Sequence, residues 1–200
     1  MKLYCATTSA GKLREFRLAG LDVEVLPGLA DIPAVEETGA TFEENAILKA
    51  RYYAEFAEGP LFTDDSGLEV DALNGAPGVY SARFAGPSVT DDENNAHLLK
   101  ALEGATQRTA RYVCVLALVD AGRVLGTYRG EVAGEILTVP RGTGGFGYDP
   151  LFWYQPLARS FGELSNEEKF AVSHRGCALR LLRSFVETSR PRADTGHARR

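Results

Sequence analysis

Apolar positions change period within the first twenty residues. Lys2 to Ala6 reads as a short opening strand, whereas Leu13, Phe16 and Leu18 fall at helical spacing within Lys12 to Ala19. The pattern therefore predicts a strand, a loop from Thr7 to Gly11 and a helix. Thr41-Phe42-Glu43-Glu44, Thr90-Asp91-Asp92-Glu93 and Ser165-Asn166-Glu167-Glu168 each place a Glu three residues after a hydroxyl. This is capping-box chemistry: the hydroxyl accepts from a first-turn amide and the Glu reaches back to the cap. The first box opens a helix predicted to run to about Glu58. Leu61-Phe62-Thr63 and Leu68-Glu69-Val70 read as two short strands, and Ala110 to Val119 as a mostly apolar one. Asp120-Ala121-Gly122 turns that strand back into a more alternating partner, Arg123 to Glu135, giving a long antiparallel hairpin. Ala178, Leu181, Leu182 and Phe185 form the apolar stripe of a last helix. Helices interleaved with strands predict an α/β fold, a mixed twisted sheet with flanking helices. No repeat or linker divides the chain, so residues 1–188 read as one domain and 189–200 as a loose, Arg-rich tail.

Composition narrows the class. With 44% hydrophobic and 24% charged residues among 200, the chain is globular rather than disordered or fibrous. Its net charge is −5, and the last twelve residues hold four Arg against one Asp, so the body is more acidic still. An acidic body is a poor surface for a phosphodiester backbone, and nucleic acid is not expected as a partner. Cys5, Cys114 and Cys177 are odd in number and far apart, which reads as reduced core residues rather than a disulfide framework or metal motif. No apolar run reaches the ~18 residues of a membrane span, and Met1-Lys2-Leu3-Tyr4-Cys5 leads directly into polar Thr7-Thr8-Ser9 rather than a signal peptide. A cytoplasmic protein without membrane contact is expected.

Four segments carry candidate chemistry. Thr7, Thr8, Ser9, Ala10, Gly11 and Lys12 form a small-residue loop ahead of a helix, suited to backbone amides approaching an anion. It is not a Walker A loop, because Ala6 and Leu13 stand where that motif needs Gly and Ser or Thr. A phosphate loop and a plain strand-to-helix turn both fit it. Asp64-Asp65-Ser66-Gly67 puts two carboxylates at the end of a strand, natural ligands for a hard Mg²⁺ or the polar start of a turn. Adjacent residues of an extended chain face opposite ways, so one carboxylate faces a metal unless the turn begins between them. Glu36 and Glu37 supply further acids from a loop. Gly142 to Pro150 has the flexibility to wrap a flat ligand, with Phe146 or Tyr148 stacking, or simply to turn a corner. Lys169, His174 and Arg175 could bind an anion or a base edge, or sit at the surface near a helix start.

Taken together these segments describe a nucleotide site, and the chain resembles the inosine/xanthosine triphosphate pyrophosphatase family, also called Ham1-like or RdgB-like. The resemblance spans Leu3 to about Phe185 and rests on ATTSAGKxxEF (Ala6 to Phe16), EETGxTFEENAxLKA (Glu36 to Ala50), DDSGLxVDxLxGxPGxYSARF (Asp64 to Phe84), GTGGFGYDPLF (Gly142 to Phe152) and SHRGxAL (Ser173 to Leu179). It implies an elongated two-lobed fold with a central nucleotide cleft, a homodimer, and Mg²⁺-dependent hydrolysis between the α- and β-phosphates of ITP, dITP and XTP. By resemblance, Thr7 to Lys12 and Ser66 hold phosphates, Asp65 is the catalytic carboxylate at the metal, and Glu37 is a second metal-site acid for which Glu36 is an alternative. Phe146, Gly147, Tyr148, Asp149, Lys169, His174 and Arg175 embrace the base and phosphates. One departure is Ser9, where many members carry Asn.

The chemistry of the residues agrees with that assignment. Phosphoanhydride hydrolysis needs charge neutralisation and a placed water more than covalent help. Mg²⁺ and Lys12 supply the first and Asp65 the second, as a weak proton acceptor whose pKa a metal would lower. Hypoxanthine and xanthine present a C6 carbonyl where adenine presents an amine, so a guanidinium at Arg175 selects against ATP. A Maf-like pyrophosphatase and a nucleotide sensor without turnover are the competing readings.

Overall fold

The computed structural model describes residues 2–189. Along them run β1 (Leu3–Cys5), α1 (Ala10–Leu18), β2 (Val23–Val25), α2 (Phe42–Ala54), β3 (Leu61–Val70), α3 (Asp91–Ala101), β4 (Thr109–Asp120), β5 (Arg123–Ile136), β6 (Phe152–Tyr154), β7 (Arg159–Ser160), α4 (Asn166–Val172) and α5 (His174–Thr188). All seven strands join one open sheet in the order β2-β1-β3-β4-β5-β6-β7. Pairing is parallel among β2, β1 and β3 and antiparallel from β3 onward. This is the mixed sheet with flanking helices that the pattern predicts.

Alternation along β4 assigns helices to the faces of the sheet. Val113, Val115, Ala117 and Val119 pack with Phe42, Ala46 and Ala50 of α2. Cys114, Leu116 and Leu118 pack instead with Phe16 of α1 and Ala178, Leu179 and Leu182 of α5. A third cluster gathers Leu68, Val70, Leu98, Tyr112, Phe152 and Phe161 beneath α3. The cleft lies between this cluster and the one under α1 and α5.

The two short strands predicted around Asp64-Asp65-Ser66-Gly67 are one strand, β3. Every residue from Leu61 to Val70 is in register with β4, from Leu61 opposite Val119 to Val70 opposite Ala110. That ladder occupies the backbone groups which a turn would otherwise have to satisfy, so tertiary pairing overrides weak strand propensity. The capping boxes at Thr41, Thr90 and Ser165 are all formed. The first helix begins at Ala10, earlier than predicted, because Ser9 caps it by accepting from the Lys12 amide. Helix α2 stops at Ala54, where the amides of Phe56 and Ala57 bond three residues back rather than four. In α5 the buried stripe is Ala178, Leu179, Leu182 and Val186, whereas Leu181 is exposed and Phe185 only half-buried. Strands β2, β6 and β7 are two or three residues long and are not among the strands that the pattern predicts. Cys5, Cys114 and Cys177 are free, and burial pushes the Cys5 and Cys114 thiols up to about 12. No described helix is long and apolar enough to cross a membrane. Apart from Ser189, the predicted tail lies outside the described residues.

The corrected stripe has a direct consequence for stability. Leu182→Ala removes a fully buried side chain and should cost about 2–5 kcal/mol. Leu181→Ala should change stability by less than about 0.5 kcal/mol. Urea unfolding of both variants checks the assignment, and a loss at Leu181→Ala as large as that at Leu182→Ala would restore the original stripe.

Candidate active site

Strand β3 presents its two carboxylates to opposite faces of the sheet. Asp64 and Ser66 point toward α1 and α5, and Asp65 points toward α2, as the pleat requires. On the first face Asp64 Oδ2 lies 3.0 Å from Lys12 Nζ and 3.3 Å from an Arg175 nitrogen. Ser66 Oγ donates to Asp64 at 3.2 Å and accepts from Arg175 at 2.7 Å.

Arg175 is 1% exposed and sits in the first turn of α5, behind the cap formed by Ser173. That turn lies against Gly130 of β5, where a Cβ would collide with the His174 carbonyl. The guanidinium also donates to Glu15, a buried residue on the inner side of α1. Glu15 in turn pairs with Lys169 Nζ at 2.9 Å, and Lys169 donates to Asp149 at 2.6 Å. Three carboxylates, Glu15, Asp64 and Asp149, are thereby matched by three cations, Lys12, Lys169 and Arg175. Burial alone would raise Glu15, but Arg175 and Lys169 outweigh it and hold its carboxyl below the ordinary value. Asp64 is likewise held low, burial being overcome by Lys12 and Arg175. Asp149 is pushed up by burial, with Lys169 opposing.

Lys169, His174 and Arg175 are thus interior groups, not the surface or capping residues that the sequence allowed. His174 stacks on Tyr112 with ring centroids 4.6 Å apart, and burial followed by the Arg175 and Lys169 charges holds it well below its ordinary pKa. It is a neutral flat wall rather than a cation.

The glycine-rich loop closes this face. Asp149 accepts from the Phe146 amide at 2.8 Å, which ties the loop to the ion network. Gly147 is gripped from α3, its amide donating to Asp91 at 2.6 Å and its carbonyl accepting from Asn95 at 2.9 Å. Tyr148 is buried and donates to the Ser81 carbonyl at 2.8 Å, so of the two candidate rings only Phe146 is placed to stack. Its ring centroid is 4.3 Å from Lys169 Nζ. A cavity of about 340 Å³ opens here, and among its lining residues are Ser9, Lys12, Ser66, Tyr148, His174 and Arg175. Phe146, Gly147, Asp149 and Lys169 line it as well. Thr8 and Ala10 lie exposed at the start of α1, while Thr7 accepts from the Ser9 amide at 3.2 Å. Gly11 packs beneath Phe146.

On the other face Lys49 of α2 bridges Asp65 at 2.9 Å and Glu37 at 3.0 Å, and Asn45 donates to the second Asp65 oxygen at 3.3 Å. Glu36 is exposed, so Glu37 is the acid that reaches the cluster. Burial pushes Asp65 up and Lys49 only partly offsets it. Without a metal, Asp65 is therefore a better proton acceptor than an ordinary carboxylate, and the lowering expected from a bound Mg²⁺ would act against this burial effect. Burial would lower Lys49, but Asp65, Asp64 and Glu37 outweigh it and keep the ammonium charged. Among the described residues no three His, Cys, Asp or Glu converge as a metal cage. Two hard carboxylates already gathered round one ammonium nevertheless suit Mg²⁺, which takes few protein oxygens and shares itself with phosphates.

Glu15, Asn45 and Lys49 escaped the sequence reading of the site, although all three lie inside quoted motifs. Their polar character on otherwise inward helix faces was the available signal. The cleft combines a stacking ring and cations on one face of a strand with acids on the other, the equipment of a nucleotide-processing α/β protein. Comparison with known proteins agrees. The Ham1 family model matches residues 3–185. A dITP/XTP pyrophosphatase of Acidobacterium capsulatum is 50% identical over 195 residues, covering 91% of this chain and 96% of its own. One from Exiguobacterium is 51% identical over 190 residues, covering 93% and 97%. The solved Ham1 protein of Staphylococcus aureus superposes with a TM-score of 0.85 at 41% identity, covering 95% of this chain and all (100%) of its own. The chain belongs to the Ham1 family.

Two stability experiments follow from the ion network. Arg175→Ala leaves Glu15 and Asp64 short of a buried partner and should cost about 3–5 kcal/mol in denaturant unfolding at pH 7. A loss under about 1 kcal/mol would mean that the guanidinium does not hold the network. The second is pH dependence. A carboxyl depressed in the fold adds stability above its unfolded pKa, about 4.3 for Glu, and loses it as pH falls further. The stability difference between wild type and Glu15→Gln should therefore shrink below about pH 4.5. Asp65, pushed up by burial, gives the opposite slope in both proteins and cancels in the difference, whereas Asp149 cancels only in part because the Glu15 charge helps to raise it. A difference that grows on acidification contradicts a depressed Glu15.

Proposed function

We propose that this chain hydrolyses dITP, ITP and XTP to the nucleoside monophosphate and pyrophosphate, with Mg²⁺, as a homodimer that clears such nucleotides from the cytoplasmic pool. The observation that supports this most directly is that Asp64 and Asp65 divide β3 between a ring-and-cation cleft and an acidic cluster. It does so in a chain half identical to dITP/XTP pyrophosphatases.

In this reading the triphosphate lies along the N-terminus of α1, where first-turn amides and the Lys12 ammonium face its oxygens. Ser9, Thr7, Thr8, Ala10, Gly11 and Ser66 complete that wall. Asp65 and Glu37 would hold Mg²⁺, which when bound supplies charge neutralisation on the phosphates. Asp65, fixed by Lys49 and Asn45, orients the attacking water and accepts from it. Lys49 keeps the paired acids from repelling each other. The base stacks on Phe146, with Gly147, Tyr148 and His174 forming the remaining walls. Asp149 and Lys169 hold the stacking loop in place.

Purine choice falls to Arg175. Its terminal nitrogens already serve Glu15, Asp64 and Ser66, and its Nε is buried without a partner among the described residues. A further N–H donated to a C6 carbonyl accepts ITP and XTP and rejects the amine of ATP. GTP shares that carbonyl, and excluding it requires burying its 2-amino group unpaired, at about 1–3 kcal/mol.

Asp65→Asn should keep the fold, because an amide oxygen still accepts from Lys49, and lose about 10²–10⁴ in turnover of dITP. Hydrolysis within a few-fold of wild type would shift the role to Asp64. Lys12→Ala should raise KM and lower kcat for triphosphates, and unchanged kinetics at physiological salt would exclude it from the phosphates. Ser9→Asn should be tolerated, since both residues cap helices well. Pyrophosphate release across dITP, XTP, GTP, ATP and dUTP tests the whole reading. Preference for dUTP would indicate Maf-like chemistry, and binding without release a sensor.

A further inference from the structure

Gly11 occupies the second position of α1 with an ordinary helical backbone, outside the positive-φ glycines. Glycine inside a helix is up to about 1 kcal/mol worse than alanine, so conformational freedom does not account for it there. Its surroundings do. A Cβ at Gly11 would lie 2.6 Å from Phe146 Cδ1, 2.8 Å from Cε1 and 2.9 Å from Cγ. The Phe146 ring therefore rests directly on the bare Cα of Gly11. The loop bearing that ring has little stiffness of its own: Gly144, Gly145 and Gly147 surround Phe146, two of them at positive φ. Asp149 and α3 fix the loop backbone, and the ring itself is stopped by α1.

We propose that Gly11 is a positioning residue for base recognition: its missing side chain is the seat that sets the depth of Phe146, and hence the width of the base slot. The proposal rests on the reading of Phe146 as the stacking ring. It couples the two ends of the substrate, because the helix whose N-terminus faces the phosphates is also the stop against which the base-stacking ring lies. A methyl at Gly11 displaces the ring from this seat, in which its centroid lies 4.3 Å from Lys169 Nζ and 5.6 Å from Arg175 Cζ.

The test is a double-mutant cycle of Gly11→Ala and Phe146→Ala with dITP and GTP, alongside thermal midpoints. Gly11→Ala should lower kcat/KM for dITP roughly tenfold, carried mainly by KM, since base stacking on an aromatic ring is worth that much or more. The midpoint should hold or rise, and the dITP-to-GTP ratio should stay within a factor of about two, because every purine has a face to stack. In the Phe146→Ala background, Gly11→Ala should cost several-fold less in kcat/KM than it does in the wild type. Equal losses in both backgrounds would overturn the proposal, as would no loss in the wild type. Proton NMR of the nucleotide-free protein separates this from failure of the enzymatic reading. The Gly11 Hα resonances should carry a ring-current shift that disappears in Phe146→Leu. Its absence refutes the seat whether or not dITP is hydrolysed, and its presence with an inactive wild type refutes only the reaction.

Discussion

Three carboxylates and two cations cannot be buried together, with the half-buried Lys12 at their edge, unless each finds its partner, and this constraint fixes the geometry around the cleft. An unpaired ion in a protein interior costs several kcal/mol, and the cost falls on whichever element strays. Glu15 comes from α1, Asp64 from β3, Asp149 from the glycine-rich loop, Lys169 from α4 and Arg175 from α5. Apolar packing brings α1 and α5 onto the same face of the sheet but tolerates small slides. The ion network does not, because it asks for nitrogen and oxygen within about 3 Å at several places at once.

The division of labour across β3 follows from the pleat. Because the strand runs unbroken through Asp64 and Asp65, neighbouring carboxylates are delivered to different helices. Asp64 becomes part of a balanced network that holds Lys12 and Arg175 in place. Asp65 joins Glu37 and Lys49 in a cluster with more acid than base, the kind of site that accepts a cation. A turn between the two residues would have put both on one side and left the other without its charge.

Local chemistry was legible in the sequence, and long-range pairing was not. The three capping boxes each lie within four residues, and all formed as read. The hairpin of β4 and β5 could be read because its turn and its apolar run are contiguous. The continuity of β3 was hidden, because the residues that override its weak propensity sit on β4, some fifty positions later. Glu15 and Arg175 lie 160 residues apart, and neither carries a local mark of the other. In α5 a buried and an exposed leucine are neighbours, so a stripe holding both could be drawn; only the packing against β4 tells Leu181 from Leu182.

The central claim is that the two faces of β3 work on one substrate, with water attacking between its α- and β-phosphates. Phosphorus NMR of the products formed from dITP and Mg²⁺ tests this most directly. The account predicts dIMP and pyrophosphate as the first products, in equal amounts. Release of dIDP and orthophosphate would place the attack at the wrong bond and contradict it.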